Sequence, residues 1–157
     1  MTVTTPFLVA HILLGGIGLL LGPLAMQARK RPGVHTFAGE CYHWVMLGVC
    51  ITAAALAVLS WQRIGWLLWV AIGSYALALM GYLAAKMRWK GWLKLHLAGQ
   101  GGSYIALCTA LLVINWVTIT GISGFATPWP WLVPTLMGSP LIAWVTREVA
   151  LGRRPRR

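Results

Sequence analysis

Residues Leu93–Thr120 read LKLHLAGQGGSYIALCTALLVINWVTIT. Beyond Lys94 this stretch contains no acidic or basic side chain other than His96. A membrane-crossing helix needs roughly 20 mostly apolar residues, because the hydrocarbon core is about 30 Å thick and each residue rises about 1.5 Å. The run meets that requirement with length to spare. Its glycine-rich part, GQGGS, lies inside the apolar run and follows no strand, so it is not a nucleotide-binding loop.

Four further stretches read the same way: Phe7–Gln27, Gly39–Ser60, Ile64–Lys86 and Trp131–Val149. The last is interrupted by Pro134 and Pro140 and approached through Pro128 and Pro130, so it is expected to be kinked or to start late. The fold class expected is an all-α integral membrane bundle of five transmembrane helices. These use nearly all of residues 1–157, as one membrane domain.

Composition agrees. The chain is 59% hydrophobic and 10% charged, against about 45–50% and about 25% in an average soluble domain. This excludes disorder, collagen, coiled coil and a disulfide scaffold. The formal net charge of +11 does not imply a nucleic-acid partner. The cations form short clusters between apolar runs, whereas a nucleic-acid face is a basic stripe on a soluble fold.

Those clusters instead record topology. Arg29, Lys30 and Arg31 follow the first stretch. Lys86, Arg88, Lys90 and Lys94 lie between the third and fourth, and Arg147, Arg153, Arg154, Arg156 and Arg157 close the chain. Of thirteen Lys and Arg, only Arg63 falls on the other side. The positive-inside rule then places the N-terminus outside and the C-terminus inside, in a bacterial inner membrane. The opening MTVTTPF lacks the cationic start of a signal peptide, so the first helix is expected to be retained. The RRPRR tail suits anionic lipid headgroups. Trp61, Trp66, Trp89, Trp92, Trp129 and Trp131 fall at helix ends, where indole favours the interface. Cys41, Cys50 and Cys108 are odd in number and lack CxxC spacing, and read as small packing residues.

Polar and small faces in lipid should point into the bundle. His11, Gly15, Gly18 and Gly22 share one face of the first helix. Glu40, His43, Met46, Leu47 and Cys50 align on the second, and His96, Gly99, Gln100 and Ser103 on the fourth. His43 and His96 each lie about one turn inside the cytoplasmic end of their expected helices, hence at nearly one depth. His35 lies in the inner loop or at the start of the second helix, and His11 near the outer face.

Two imidazoles on facing helices at one depth suit axial ligation of a haem b iron. Gly39 and Gly99 would let a porphyrin slot against the backbone, and Glu40 and Gln100 would orient the imidazoles or meet a propionate. Arg29 and Lys94 would pair with propionates. The same region also offers zinc a nitrogen and oxygen set, His35, Glu40, His43 and His96, with Met46 or Met26 favouring copper. His43 and His96 are thus the first candidates for a metal, and His11 and His35 the second. A quinone headgroup is a further partner for these residues, and a purely structural role for each histidine stands beside all of them. Glu40 is expected to pair with Arg29 or Lys94.

No GxSxG, HExxH or Walker loop occurs in a fitting context, and the chain has no aspartate. Paired-carboxylate catalysis is thereby excluded. Three functions remain: a haem b electron-transfer membrane subunit, a non-catalytic structural or assembly subunit of a larger membrane complex, and a zinc- or copper-binding membrane protein. The proline-rich approach to the fifth helix, TPWPW, is the candidate surface for other membrane subunits.

One pattern resembles a known family. His11-x3-Gly15, then Gly22-Pro23, then a basic loop and His35-x3-Gly39-x2-Tyr42, is similar to bacterial multi-span predicted membrane proteins of unknown function. Thr36 stands where that family usually carries Arg. The resemblance implies the multi-span topology and directs interest to His11, His35 and His96. A looser similarity, in residue types and depth, is to b-type membrane cytochromes.

Overall fold

In the computed structural model, residues 3–29 and 33–152 are described, and their regular structure is helical with no strand. Six helices follow in order: α1 Thr4–Gln27, α2 Val34–Leu59, the single turn α3 Trp61–Ile64, α4 Leu67–Met87, α5 Trp92–Thr120 and α6 Trp129–Ala150. Lys30, Arg31 and the cations of the RRPRR tail lie outside the described residues.

The chain reverses where local chemistry permits. Gly33 opens α2 at φ 130°, and its carbonyl accepts the Phe37 N–H at 2.9 Å. Gly91 opens α5 at φ 81°. Both angles suit a residue without a Cβ. Between them, α4 ends at Arg88 in the left-handed region, φ 49°, its N–H capping the Ala84 carbonyl at 3.0 Å. The Arg88 guanidinium lies 5.7 Å from the Trp92 ring centre, a cation–π contact that fastens this turn to α5.

Each long helix packs on its neighbours, α1 on α2, α2 on α4, α4 on α5 and α5 on α6, with a lighter contact from α1 to α5. The first four long helices therefore form a closed ring, and α6 leans on α5 from outside it. The core at the ring's centre contains Tyr42, Met46, Val49 and Cys50 of α2, Ala71 and Ala78 of α4 and Leu107 of α5. Large apolar side chains such as Leu20, Trp44, Trp69 and Ile114 face outward.

Close approach is built on small residues. A Cβ at Gly99 of α5 would sit 2.6 Å from both the Gly81 N and the Leu77 O of α4, so the two backbones touch there. Pro23 in α1 has no N–H for the carbonyl four residues back, Leu19. The Tyr104 hydroxyl of α5 donates to that oxygen at 3.1 Å. Gly22 leaves the room for the Tyr104 ring that any side chain there would fill. On the outer seam, Ile142 of α6 packs into the notch at Gly101, and Ile105 of α5 into the notch at Gly138.

Four helices, α1, α2, α4 and α5, are long and apolar enough to cross a membrane. This is compatible with a multi-pass membrane protein. The expected fifth span forms a helix of 22 residues but does not join that set, because its prolines and polar residues dilute its apolar character. Two boundaries also move. α2 begins at Val34, five residues before the expected Gly39, and a separate turn and the Gly65–Trp66 step precede α4.

Candidate functional site

The early start of α2 changes which histidine meets His96. His35 lies in the first turn of α2, and His43 is eight residues, about 12 Å, further along. The rings of His35 and His96 have centroids 6.3 Å apart and planes at 81°. Each is held by a neighbouring helix. The His35 Nδ1–H donates to the Ala25 carbonyl of α1 at 2.8 Å, and the His96 Nδ1–H to the Gly81 carbonyl of α4 at 2.9 Å. A carbonyl only accepts, so both bonds place the proton on Nδ1 and, in the neutral rings, the lone pair on Nε2. Ala25 O is available because α1 stops at Gln27, leaving its last carbonyls outside the helical ladder.

Two turns further along, the same helix pair is tied again. The Tyr42 hydroxyl of α2 donates to Ser103 Oγ of α5 at 3.0 Å, since Ser103 spends its own proton on the Gln100 carbonyl at 2.9 Å. Tyr42 is 3% exposed and Ser103 0%. Both pairs, His35 with His96 and Tyr42 with Ser103, are 61 residues apart in the chain. On each helix the two members are separated by seven residues, so α2 and α5 present matching lines to each other across the ring.

His43 takes a different position. It is 4% exposed, and its ring lies flat on Tyr82 of α4, with centroids 3.9 Å apart and planes at 10°. Trp44 and Tyr75 complete its aromatic surroundings at 5.4 and 5.8 Å. Its Nδ1 is buried and has no hydrogen-bond partner among the described residues. The ring neighbours of His43 are thus aromatic residues, while His96 has His35 beside it.

Glu40 pairs with neither Arg29 nor Lys94. It forms an ion pair with Lys86 and accepts the Tyr82 hydroxyl at 3.0 Å, because α2 packs on α4. Gln100 donates to the Ala78 carbonyl at 2.9 Å, which makes it part of the α4–α5 seam rather than a partner of an imidazole. Gly99 lies in that seam too, in backbone contact with Gly81. Gly39 has open space where a side chain would be. Lys94 points to the opposite side of α5, into the groove shared with α6. His11 bridges α1 to α2, its Nδ1–H directed at Val49 O and Thr52 Oγ1, each at 3.1 Å.

The metal set read from the sequence is not assembled. Among the described residues no group of three or more His, Cys, Asp or Glu is placed to hold a metal ion. Glu40 and His43 are taken up by Tyr82, leaving a two-histidine pair. The two rings meet edge to face. Both imidazoles also carry the Nδ1–H to carbonyl bond that orients metal-bound histidine.

A signal for the His35 pairing was present in the sequence. Tyr42 and Ser103 are the only positions that lie seven residues beyond a histidine on each of these helices and also carry a hydroxyl. What the apolar pattern hid was the start of α2. Compared with known proteins, the chain matches no family model, no curated protein and no solved structure.

Proposed function

We propose that this chain is a multi-pass protein of a bacterial inner membrane that binds haem b between His35 and His96 and serves in electron transfer. Its N-terminus is outside and its basic end is cytoplasmic. α6, a helix of 22 residues antiparallel to α5, forms the fifth crossing. The observation that carries the reading is the His35–His96 pair, with rings 6.3 Å apart and each Nδ1 committed to a backbone carbonyl of a third and fourth helix.

A bound haem b would supply a one-electron carrier in a low-dielectric setting. The chain's own residues hold the imidazoles. The Ala25 and Gly81 carbonyls fix ring orientation and tautomer, and they raise the basicity of the opposite nitrogen. The Tyr42–Ser103 bond holds α2 and α5 at constant spacing just beyond the pair. His43 has no part in ligation in this reading. Arg29, just beyond α1, and Lys90, between α4 and α5, supply positive charge that suits anionic substituents of the ligand.

The test is the absorption spectrum of the chain purified in detergent. A Soret band and a reduced α-band are expected in the wild type and in His43→Phe, and their loss in His35→Ala and His96→Ala. A colourless preparation from haem-replete cells would overturn the proposal. So would a spectrum that survives the loss of either histidine.

A further inference from the structure

Outside the four-helix ring, α5 and α6 enclose an open groove of about 710 Å³. Its two ends differ in chemistry. At one end stand Lys94 from the first turn of α5 and Thr146 and Arg147 from the last turns of α6, brought together because the helices run antiparallel. The remaining wall is apolar or small, with Gly102, Ile105 and Ile142 its defining residues. A second hollow of about 280 Å³ adjoins the basic end and shares Lys94, Thr146 and Ala150. The positive pole of α5 and the negative pole of α6 meet at this end and offset each other, so its positive charge comes from Lys94 and Arg147.

Length identifies what fits. From Lys94 to Ile105 the groove follows eleven residues of α5, about 16 Å. That is about half of a hydrocarbon core of about 30 Å, the depth of one leaflet. An ammonium, a guanidinium and a hydroxyl at the headgroup level, above an apolar trough one leaflet deep, match a phosphate diester carrying acyl chains.

We propose that the α5/α6 groove binds one anionic phospholipid, its phosphate at Lys94, Thr146 and Arg147 and an acyl chain along Gly102, Ile105 and Ile142. The inference rests on the membrane placement above and is independent of haem. The bound lipid lies along the seam between α6 and the four-helix ring, beside the points where Ile142 and Ile105 seat against Gly101 and Gly138.

The test uses the full chain in nanodiscs of phosphatidylcholine with a minor fraction of phosphatidylglycerol, read by the lipid retained after stepwise delipidation. Recovery of the chain in the membrane fraction checks the placement separately. The wild type should retain phosphatidylglycerol in about one copy, and Lys94→Gln/Arg147→Gln should lower its enrichment about tenfold. Ala98→Leu, which fills the trough and leaves the cations intact, should also release the lipid. A chain ending at residue 152 should keep it. Retention unchanged in the double variant would overturn the proposal, as would loss on tail removal alone. Ala98→Leu with full retention, or inorganic phosphate competing as well as the lipid does, would show an anion site without an acyl subsite and would equally overturn it. Occupation of the groove by a co-purifying protein in place of lipid would do the same.

Discussion

The Tyr104 hydroxyl donates to the Leu19 carbonyl, the one oxygen in α1 that Pro23 deprives of its helical donor. A proline in a helix surrounded by apolar groups is tolerable only if some other group satisfies the freed carbonyl. Here the donor comes from α5, through a ring seated on Gly22. Tyr104→Phe should therefore lower stability by about 1–2 kcal/mol, the cost of an acceptor left unsatisfied in a partly buried site. Pro23→Ala restores the backbone donor, and in that background Tyr104→Phe should cost markedly less. Denaturation midpoints of the four proteins in one detergent give the cycle, and equal costs in both backgrounds would contradict the linkage.

Gly99 and Gly81 allow α4 and α5 to touch through their backbones. A methyl group at either position meets peptide atoms that cannot turn aside. Gly99→Ala and Gly81→Ala should each destabilise by about 1–3 kcal/mol, the usual cost of overpacking. Once one substitution has parted the helices, the second should cost less than it does alone. Thermal unfolding of the single and double variants checks this. By contrast, Gly39→Ala meets open space within α2 and should be neutral or stabilising by up to about 1 kcal/mol.

The four apolar helices were legible in the sequence because a run such as Ile105–Ile114 has no other way to satisfy its backbone in lipid. The inward face of α5 was legible as well, and His96, Gly99, Gln100 and Ser103 all turn toward other helices of the ring. Helix starts were not. Hydropathy marks where side chains become apolar, whereas α2 continues back through Gly39, Phe37 and His35 for as long as its backbone bonds propagate. Those five residues replaced His43 with His35 as the neighbour of His96. The partner of Glu40 was equally hidden, because it depends on α2 packing against α4, and a single chain carries no direct mark of which helices are neighbours.

His43 presents a buried nitrogen with no hydrogen-bond partner among the described residues and a ring stacked on Tyr82. Phenylalanine keeps the stack and removes the nitrogen. His43→Phe should be neutral or stabilising by up to about 1 kcal/mol, since an unsatisfied buried polar atom carries a desolvation penalty that its removal relieves. A lowered melting temperature would instead show that the nitrogen has a hydrogen-bond partner in the membrane.

The Tyr42–Ser103 bond is buried on both sides. Tyr42→Phe leaves Ser103 with its Gln100 bond and should cost about 1 kcal/mol. Ser103→Ala strands the Tyr42 hydroxyl in the core and should cost more, about 1–3 kcal/mol. The double variant should then be less destabilised than the sum of the two, a coupling measurable by chemical denaturation.

The two ties between α2 and α5 have a mechanical consequence. A single contact between parallel rods leaves each free to roll about its axis. Two contacts on one line, seven residues apart, oppose rolling, because any twist that preserves one shears the other. Their equal offset along the chain also opposes sliding, since a slip of one turn would break both at once. The spacing of His35 and His96 is thus held by the Tyr42–Ser103 bond and by the Ala25 and Gly81 carbonyls rather than by the loops alone. Bending should concentrate in the periphery, in α6 with its two internal prolines.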